Sequence, residues 1–160
     1  MKTLLILSMA MALLASPSWG YKQEDLDKLA AINTCQECDL AGADLHLAYL
    51  REANLEKAIL TKANLAGADL RGTVLGVAFL PLADLREADL SHASLHGANL
   101  TGANLERANL EKADLAGADL RGAVLTGAVL RDAKIDFADF TKAKFCNTVM
   151  PDGQRIFKDC

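Results

Sequence analysis

A period of five residues governs most of this chain. A large apolar residue occurs at every fifth position from Leu40 to Phe145, and we call this residue the centre of its unit. The residue two places before each centre is alanine, with Cys38 and Thr73 as the exceptions. Asp or Asn usually stands between the two, so the unit reads A-[DN]-L-x-x. Few backbone paths are compatible with such a repeat.

The five-residue period excludes one continuous α-helix and one continuous β-strand. A helix rotates by about 100° per residue, which would scatter the centres around its circumference. In a strand, an odd period would place successive centres on opposite faces. Within one unit, however, alanine and the centre are two residues apart and share a face, as in a strand. The chain must therefore turn a corner in every unit. Four corners close a square coil of about 20 residues, and coils stack roughly 4.8 Å apart.

The remaining positions of the unit fit an all-β solenoid of this kind. Ladders of leucine and alanine should line a narrow interior, so a bulky side chain at Ala103 should cost ~1–3 kcal/mol through overpacking. Glycines such as Gly42 and Gly102 lie two residues after a centre, where a tight corner favours a positive φ. The regular Asp and Asn residues are expected to bond the backbone at the corners.

The A-[DN]-L-x-x array resembles the pentapeptide repeat family over about residues 36–147. The stretch 148–153 also resembles the segment that often closes the array in secreted-looking members. The resemblance implies a right-handed quadrilateral β-helix and no enzymatic activity. Some cytosolic members act as DNA mimics that bind type II topoisomerases, so inhibition of a topoisomerase is an alternative function by family analogy. Our main hypothesis is a non-enzymatic, exported structural or protein-interaction scaffold.

The N-terminal residues predict export. Lys2, an apolar run over 4–15 and the small-residue site Ser18-Trp19-Gly20 form the pattern of a secretory signal peptide that is cleaved before Tyr21. The apolar run is too short to remain as a membrane-spanning helix. We therefore expect a mature protein without a membrane anchor, located in a periplasm, an equivalent lumen or the extracellular space.

Both ends of the repeat array should carry covers. An open solenoid end exposes apolar side chains and unpaired backbone groups. Helical spacing between residues 22 and 33 predicts a helix that covers the N-terminal end. The expected division of the chain is a signal peptide at 1–20, a capping helix at 21–35, the β-helix at 36–147 and a C-terminal cap at 148–160.

Four cysteines in an exported chain predict two disulfides. In the solenoid, Cys35 and Cys38 lie at the first coil, whereas Cys146 and Cys160 lie at the last, roughly 25 Å away. Disulfide Cα atoms lie within about 7 Å of one another, which predicts the pairs Cys35–Cys38 and Cys146–Cys160. The second pair closes a loop worth roughly 3 kcal/mol. A redox or metal motif is the alternative for Cys35 and Cys38, although no further ligands are suitably spaced to complete a zinc site.

The sequence offers no catalytic constellation. The net charge of −4, with both signs interleaved along the chain, argues against direct nucleic-acid binding, which needs a basic stripe. His46, His92 and His96 have no carboxylate or cysteine obviously convergent with them. A nucleotide-binding loop, a Ser-His-Asp set and a paired-carboxylate cleft are also absent from the sequence. We expect no catalytic residue, no cofactor and no metal site.

One region of the predicted exterior is apolar. Coils of four units stack residues twenty positions apart, so Ile59 and Phe79 become neighbours where Asp or Asn is the rule. Leu82 lies beside Phe79, while Val74 and Val77 lie around the adjoining corner. A contiguous apolar patch indicates a contact surface, either for an unknown protein partner or for a second copy of the chain. The alternative is that Phe79 and Leu82 fold over a distorted corner and cover each other.

Overall fold

A computed structural model describes residues 20–160 of this protein. The predicted signal peptide, residues 1–20, lies outside the described residues except for Gly20. Within residues 20–160, the structure contains a helix α1 (Gln23–Ile32), a long stack of coils, and a short antiparallel pair of strands, β1 (Thr148–Val149) and β2 (Arg155–Ile156). In this part of the chain, no helix is long and apolar enough to cross a membrane.

The stack of coils is held by parallel bridges between residues twenty positions apart. Asp39 pairs with Ile59, and Ile59 pairs with Phe79 in the next coil. The bridges begin at Thr34 and end at Val149, two residues beyond the predicted array on each side. The C-terminal extension arises because Thr148-Val149-Met150 keeps the phase of the repeat although its residue types differ. The predicted coil of four units is confirmed.

Units inside the stack make the same backbone hydrogen bonds. The N–H of the centre Leu60 donates to the carbonyl of Phe79 in the next coil (2.7 Å), and the N–H of Phe79 donates to Ala58 in the previous coil (2.9 Å). A turn bond from Ala63 N–H to the Leu60 carbonyl (3.0 Å) closes the corner. The third residue of this turn has a positive φ, as in type II turns. Lys62 occupies it with φ 56°, so the corner imposes this conformation on ordinary residues as well as on glycine.

The interior consists of the predicted ladders of leucine and alanine, nearly all of them fully buried. Thr73 replaces an alanine, and its buried hydroxyl donates to the carbonyl of Leu50 (2.8 Å). Thr148 has the corresponding bond to the carbonyl of Leu125 (2.6 Å). Because each hydroxyl finds a main-chain acceptor, the polar group can be buried at little cost.

The coils present four faces, which we number in chain order. Face 1 carries the bridging residues Asp39, Ile59, Phe79, Asn99, Asp119 and Asp139. Face 4 carries Thr34, Asn54, Val74, Ser94, Asp114 and Lys134. The corner between faces 4 and 1 contains Val77, and the corner between faces 1 and 2 contains Leu82. Residues at the same corner in successive coils lie above one another.

An aspartate closes the backbone at each end of the stack. At the N-terminal end, the Asp25 carboxylate of α1 accepts the Asp39 N–H (2.8 Å), and Lys22 N–H donates to the Asp39 carbonyl (3.0 Å). At the C-terminal end, the Asp159 carboxylate accepts the Phe145 N–H (2.9 Å), and Asp159 N–H donates to the Phe145 carbonyl (2.7 Å). The carboxylates satisfy amide groups that have no further coil to bond.

The two ends are covered to different extents. Helix α1 buries Leu29 completely against the core. Acidic residues in its first turn stabilise its N-terminus, and Asn33 ends the helix in a left-handed conformation. The C-terminal tail instead folds back over faces 3 and 2, where β2 pairs with β1. On the other side of the last coil, Ile135 and Phe140 remain partly exposed.

Candidate protein-interaction surface

The residues of the predicted contact surface lie together on one side of the molecule. Ile59 and Phe79 are bridged neighbours on face 1, and the corners that flank Phe79 carry Val77 and Leu82. Val74 lies on face 4, one corner away. We call these five residues the apolar patch.

Most of the apolar patch is open to solvent. Phe79 is 45% exposed and Leu82 is 57% exposed. Ile59 and Val77 are also exposed, whereas Val74 is half-buried. The Leu82 side chain leans over Gly102 in the next coil, where an added Cβ would lie 2.8 Å from a Leu82 methyl carbon. The corner at Pro81 keeps the regular turn, since Ala83 N–H bonds to the Leu80 carbonyl (3.1 Å).

Two lysines border the apolar patch one coil toward the N-terminus. Lys62 precedes Leu82 at its corner and makes no ion pair within residues 20–160. Lys57 precedes Val77 at the other corner, where Glu37 lies 3.4 Å from its ammonium group. Lys62 therefore leaves a positive charge beside the exposed side chain of Leu82.

Other exposed apolar side chains lie outside the apolar patch. Leu47 and Tyr49 form a small cluster near the N-terminal end of the stack, on a different corner. Phe137, which lies outside the patch predicted from the sequence, is 98% exposed and has φ 59°. It occupies the same corner as Val77, three coils further on. The sequence does carry a signal for this exposed side chain, because Phe137 stands at a corner position where the coil before it has Gly117.

Most aspartates on the faces are engaged locally. Their carboxylates accept backbone N–H bonds from the residue two positions later, at the corner. Where that residue is arginine, the guanidinium also binds the carboxylate, as Arg121 does to Asp119 (2.9 and 2.7 Å). This hydrogen-bonded arginine lowers the pKa of Asp119 to about 2. Arg71 and Arg86 lower the pKa values of Asp69 and Asp84 in the same way.

Both cysteine pairs lie at the positions expected for disulfides. Cys35 and Cys38 are joined at the N-terminal end, and Cys146 and Cys160 at the C-terminal end. Asp25, Cys35 and Cys38 bring three atoms of metal-ligand type within 4.8 Å of one another. In the disulfide, however, the two sulfur atoms have no thiolate to offer a metal.

The histidines bond locally and do not converge. His46 Nδ1 lies 2.9 Å from the carbonyl of Ala66, and His96 Nδ1 lies 3.0 Å from the Ser94 hydroxyl. A surface depression with a volume of about 340 Å³ is lined by charged and amide side chains of residues 28–57.

Comparisons with known proteins agree with the five-residue architecture. The sequence model of pentapeptide repeats matches residues 36–76, 78–107 and 108–147, in 8 copies. The structure resembles the pentapeptide repeat protein Rfr23 from the cyanobacterium Cyanothece 51142, with 30% identity and a TM-score of 0.53 over 79% of this chain and 97% of that chain. A comparison with proteins of curated function gives no significant match.

Two further solved structures are similar at lower TM-scores. HetL, a pentapeptide repeat protein involved in heterocyst differentiation regulation from Nostoc sp. strain PCC 7120, shares 38% identity over 77% of this chain and 66% of that chain, with a TM-score of 0.37. QnrB1, a plasmid-mediated fluoroquinolone resistance protein, shares 25% identity over 72% of this chain and 68% of that chain, with a TM-score of 0.44. The extent of the repeat match and the likeness to Rfr23 show that this chain belongs to the pentapeptide repeat family, with its right-handed β-helical fold.

Proposed function

We propose that this protein is an exported, non-enzymatic scaffold that binds a protein partner through the apolar patch. Pentapeptide repeat proteins are generally structural or interaction proteins. The observation that carries the proposal is the exposure of Phe79 and Leu82 on a solenoid whose faces otherwise carry mainly Asp and Asn. Burial of exposed apolar area on association is favourable, and large side chains contribute most of it.

Phe79 and Leu82 contribute little to packing within the stack. The side chains that stabilise the stack point inward, whereas these two point outward and remain about half exposed. Leu82 also adopts φ 58°, a conformation that glycine takes more readily at the same corner in Gly102. Large apolar residues at such positions are better explained by contact with another molecule than by packing within the chain.

The charge beside the apolar patch indicates what kind of partner would fit. Lys62 lies next to Leu82 and has no acidic partner within residues 20–160. A protein surface with an apolar centre and a carboxylate at its edge would cover Leu82 and pair with Lys62. Such a contact adds specificity and an association rate that depends on salt concentration.

Two features support export. The N-terminal sequence has the pattern of a cleaved signal peptide. Two disulfides, one at each end of the stack, are typical of proteins from oxidising compartments.

No observation favours the alternative of DNA mimicry. A DNA mimic needs a continuous acidic stripe, but arginine neutralises several of the face aspartates. Arg121 lies between Asp119 and Asp139, and Arg71 lies between Asp69 and Asp89.

The experiment that tests this proposal is site-specific photo-cross-linking of the exported protein from position 79 in intact cells. A cross-linked partner is then purified and titrated against wild type and against a Phe79→Ser/Leu82→Ser double variant. We expect the double variant to lose binding while its melting temperature stays within a few degrees of wild type. Lys62→Glu should weaken binding and reduce its dependence on salt.

The matched control is Leu47→Ser/Tyr49→Ser, which removes another exposed apolar pair, near a different corner. This control should bind the partner as wild type does. Self-cross-links alone would replace the proposed partner with a second copy of the chain. Unchanged binding by the double variant, or a large loss of its stability, would show that the apolar patch is not a contact surface.

A further inference from the structure

We propose that the Cys146–Cys160 disulfide is a thiol–disulfide exchange site for dithiol reductants, and that its reduction opens the C-terminal end of the β-helix. The two disulfides differ in where they are placed and in what each one holds, and the role proposed for the exposed pair does not depend on the apolar patch.

The two disulfides differ in access. Cys35 is fully buried and Cys38 is 3% exposed, whereas Cys160 is exposed and Cys146 is partly exposed. Helix α1 lies against the first pair, and the Asp25 carbonyl is 3.0 Å from Cys35 Sγ. A reductant must displace α1, with the fully buried Leu29, to reach it. The neighbours of Cys160 in the tail, Phe157 to Asp159, are all exposed.

The exposed disulfide ties Cys160 of the tail to the last coil. Cys160 directly follows Asp159, the residue whose main chain and carboxylate both bond Phe145. The tail is also attached by the short pairing of β2 with β1, a turn bond between Met150 and Gln154 (2.8 Å), a bond from Arg155 to the Asn147 side chain (2.7 Å) and the packing of Ile156 against the core. Tethering through Cys146 therefore keeps Asp159 next to Phe145 at a high effective concentration.

The exchange reaction balances with a dithiol as the co-reactant. A thiolate of the dithiol attacks Sγ of exposed Cys160, forms a mixed disulfide with it, and expels Cys146 as a thiolate that takes up a proton. The second thiol of the reductant then attacks its own sulfur in the mixed disulfide, which releases Cys160 as a thiol. The protein disulfide gains two electrons and two protons, and the dithiol becomes a disulfide.

Reduction would leave more backbone N–H groups unpaired in the last coil, where some already lack a partner. The N–H groups of Ile135 and Phe140 have no hydrogen-bond partner within residues 20–160, because the tail does not cover their side of the last coil. Loss of Asp159 would add the N–H of Phe145 to this set. The last coil would then present unpaired donors on three successive sides, next to the partly buried side chains of Ile135 and Phe140.

The first test is graded reduction with dithiothreitol, followed by alkylation with N-ethylmaleimide and peptide mass spectrometry. We expect Cys146 and Cys160 to be alkylated at least about tenfold faster than Cys35 and Cys38, since the buried pair reacts only after local opening. Hydrogen exchange on the selectively reduced protein should show faster exchange at the Phe145 amide and over 155–160. The amides of the middle coils, such as that of Leu80, should be unchanged.

A trapping experiment and a variant complete the test. Thioredoxin with its resolving cysteine replaced by serine should form a mixed disulfide with Cys160 of the full chain. Cys146→Ser/Cys160→Ser should show fast exchange at Phe145 without any reductant, whereas wild type under oxidising conditions should not. The proposal is overturned if Cys35 and Cys38 react as fast as the other pair. It is equally overturned if reduction of Cys146–Cys160 leaves the Phe145 amide protected.

Discussion

At the scale of single residues, an aspartate that directly precedes a centre can have two roles. Its carboxylate accepts a backbone N–H at the corner, and in the three Asp-Leu-Arg triplets it also holds a guanidinium, as in Asp119 and Arg121. The arginine contributes most to the lowered pKa of Asp119, while partial burial opposes it. These triplets could have been found in the sequence, because a spacing of two places the arginine over the same corner.

The ion pair predicts a pH dependence. The pKa of Asp119 is about 2 in the folded protein, below its ordinary value of 3.8. The pair therefore stabilises the fold fully above about pH 4, and this contribution is lost as the pH falls toward 2. Arg121→Ala should raise the pKa of Asp119 toward its ordinary value, which carboxyl-carbon NMR titration measures directly.

The control for this titration is Arg131→Ala, because Arg131 makes no ion pair within residues 20–160. It should leave the pKa of Asp119 unchanged. An Asp119 pKa that stays near 2 in the Arg121 variant would contradict the dominant role of the guanidinium.

At the scale of elements, the ends of the stack depend on single carboxylates. Asp25 in α1 and Asp159 in the tail each accept an edge amide that would otherwise lack an acceptor. The same chemistry is thus supplied by a helix at one end and by an irregular tail at the other. Any suitably placed oxygen can accept a hydrogen bond from an edge N–H, so a helix can supply the acceptor at one end and a tail at the other.

Removal of either carboxylate should destabilise the protein. Asp25→Ala and Asp159→Ala each leave a backbone donor without its acceptor, and we expect a loss of about 1–3 kcal/mol in the free energy of unfolding. Urea denaturation followed by circular dichroism measures the change. The controls are Asp27→Ala in the same helix and Lys158→Ala in the same tail, both exposed. Equal losses in variants and controls would rule out the capping role.

At the scale of the whole molecule, the coils form a one-dimensional stack. Each unit bonds the coils directly above and below it, through residues twenty positions away. Stability is then approximately a sum over coils and their interfaces. The outward surface, in contrast, varies from coil to coil, which allows two adjacent coils to carry the apolar patch while other coils carry Asp and Asn on the same face.

This organisation predicts how the chain tolerates deletion. Removal of residues 101–120 joins Leu100 to Arg121 with the repeat and all four faces in phase. We expect a folded protein with unchanged circular dichroism per residue and a lower unfolding free energy. Removal of residues 101–103 shifts the period and should disrupt the coils that follow, which limited proteolysis would detect. Similar protease resistance in the two variants would contradict the model of a strictly periodic stack.

The sequence by itself determined the coil, the inward ladders, the stacking of residues twenty apart and the grouping of the cysteines at the two ends. It could do so because every unit repeats the same local turn and the same contacts, so counting along the chain places each residue in space. The neighbourhood of Ile59, Phe79 and Leu82 followed from this counting.

Only the tertiary structure decided how exposed those side chains are and how the ends close. The orientation of Leu82 over Gly102, the approach of Asp25 and Asp159 to the edge amides, and the uncovered side at Ile135 depend on residues outside the repeat or on neighbouring side chains. Such contacts have no period, because each is made once. Their geometry is set by packing in three dimensions and not by position along the chain.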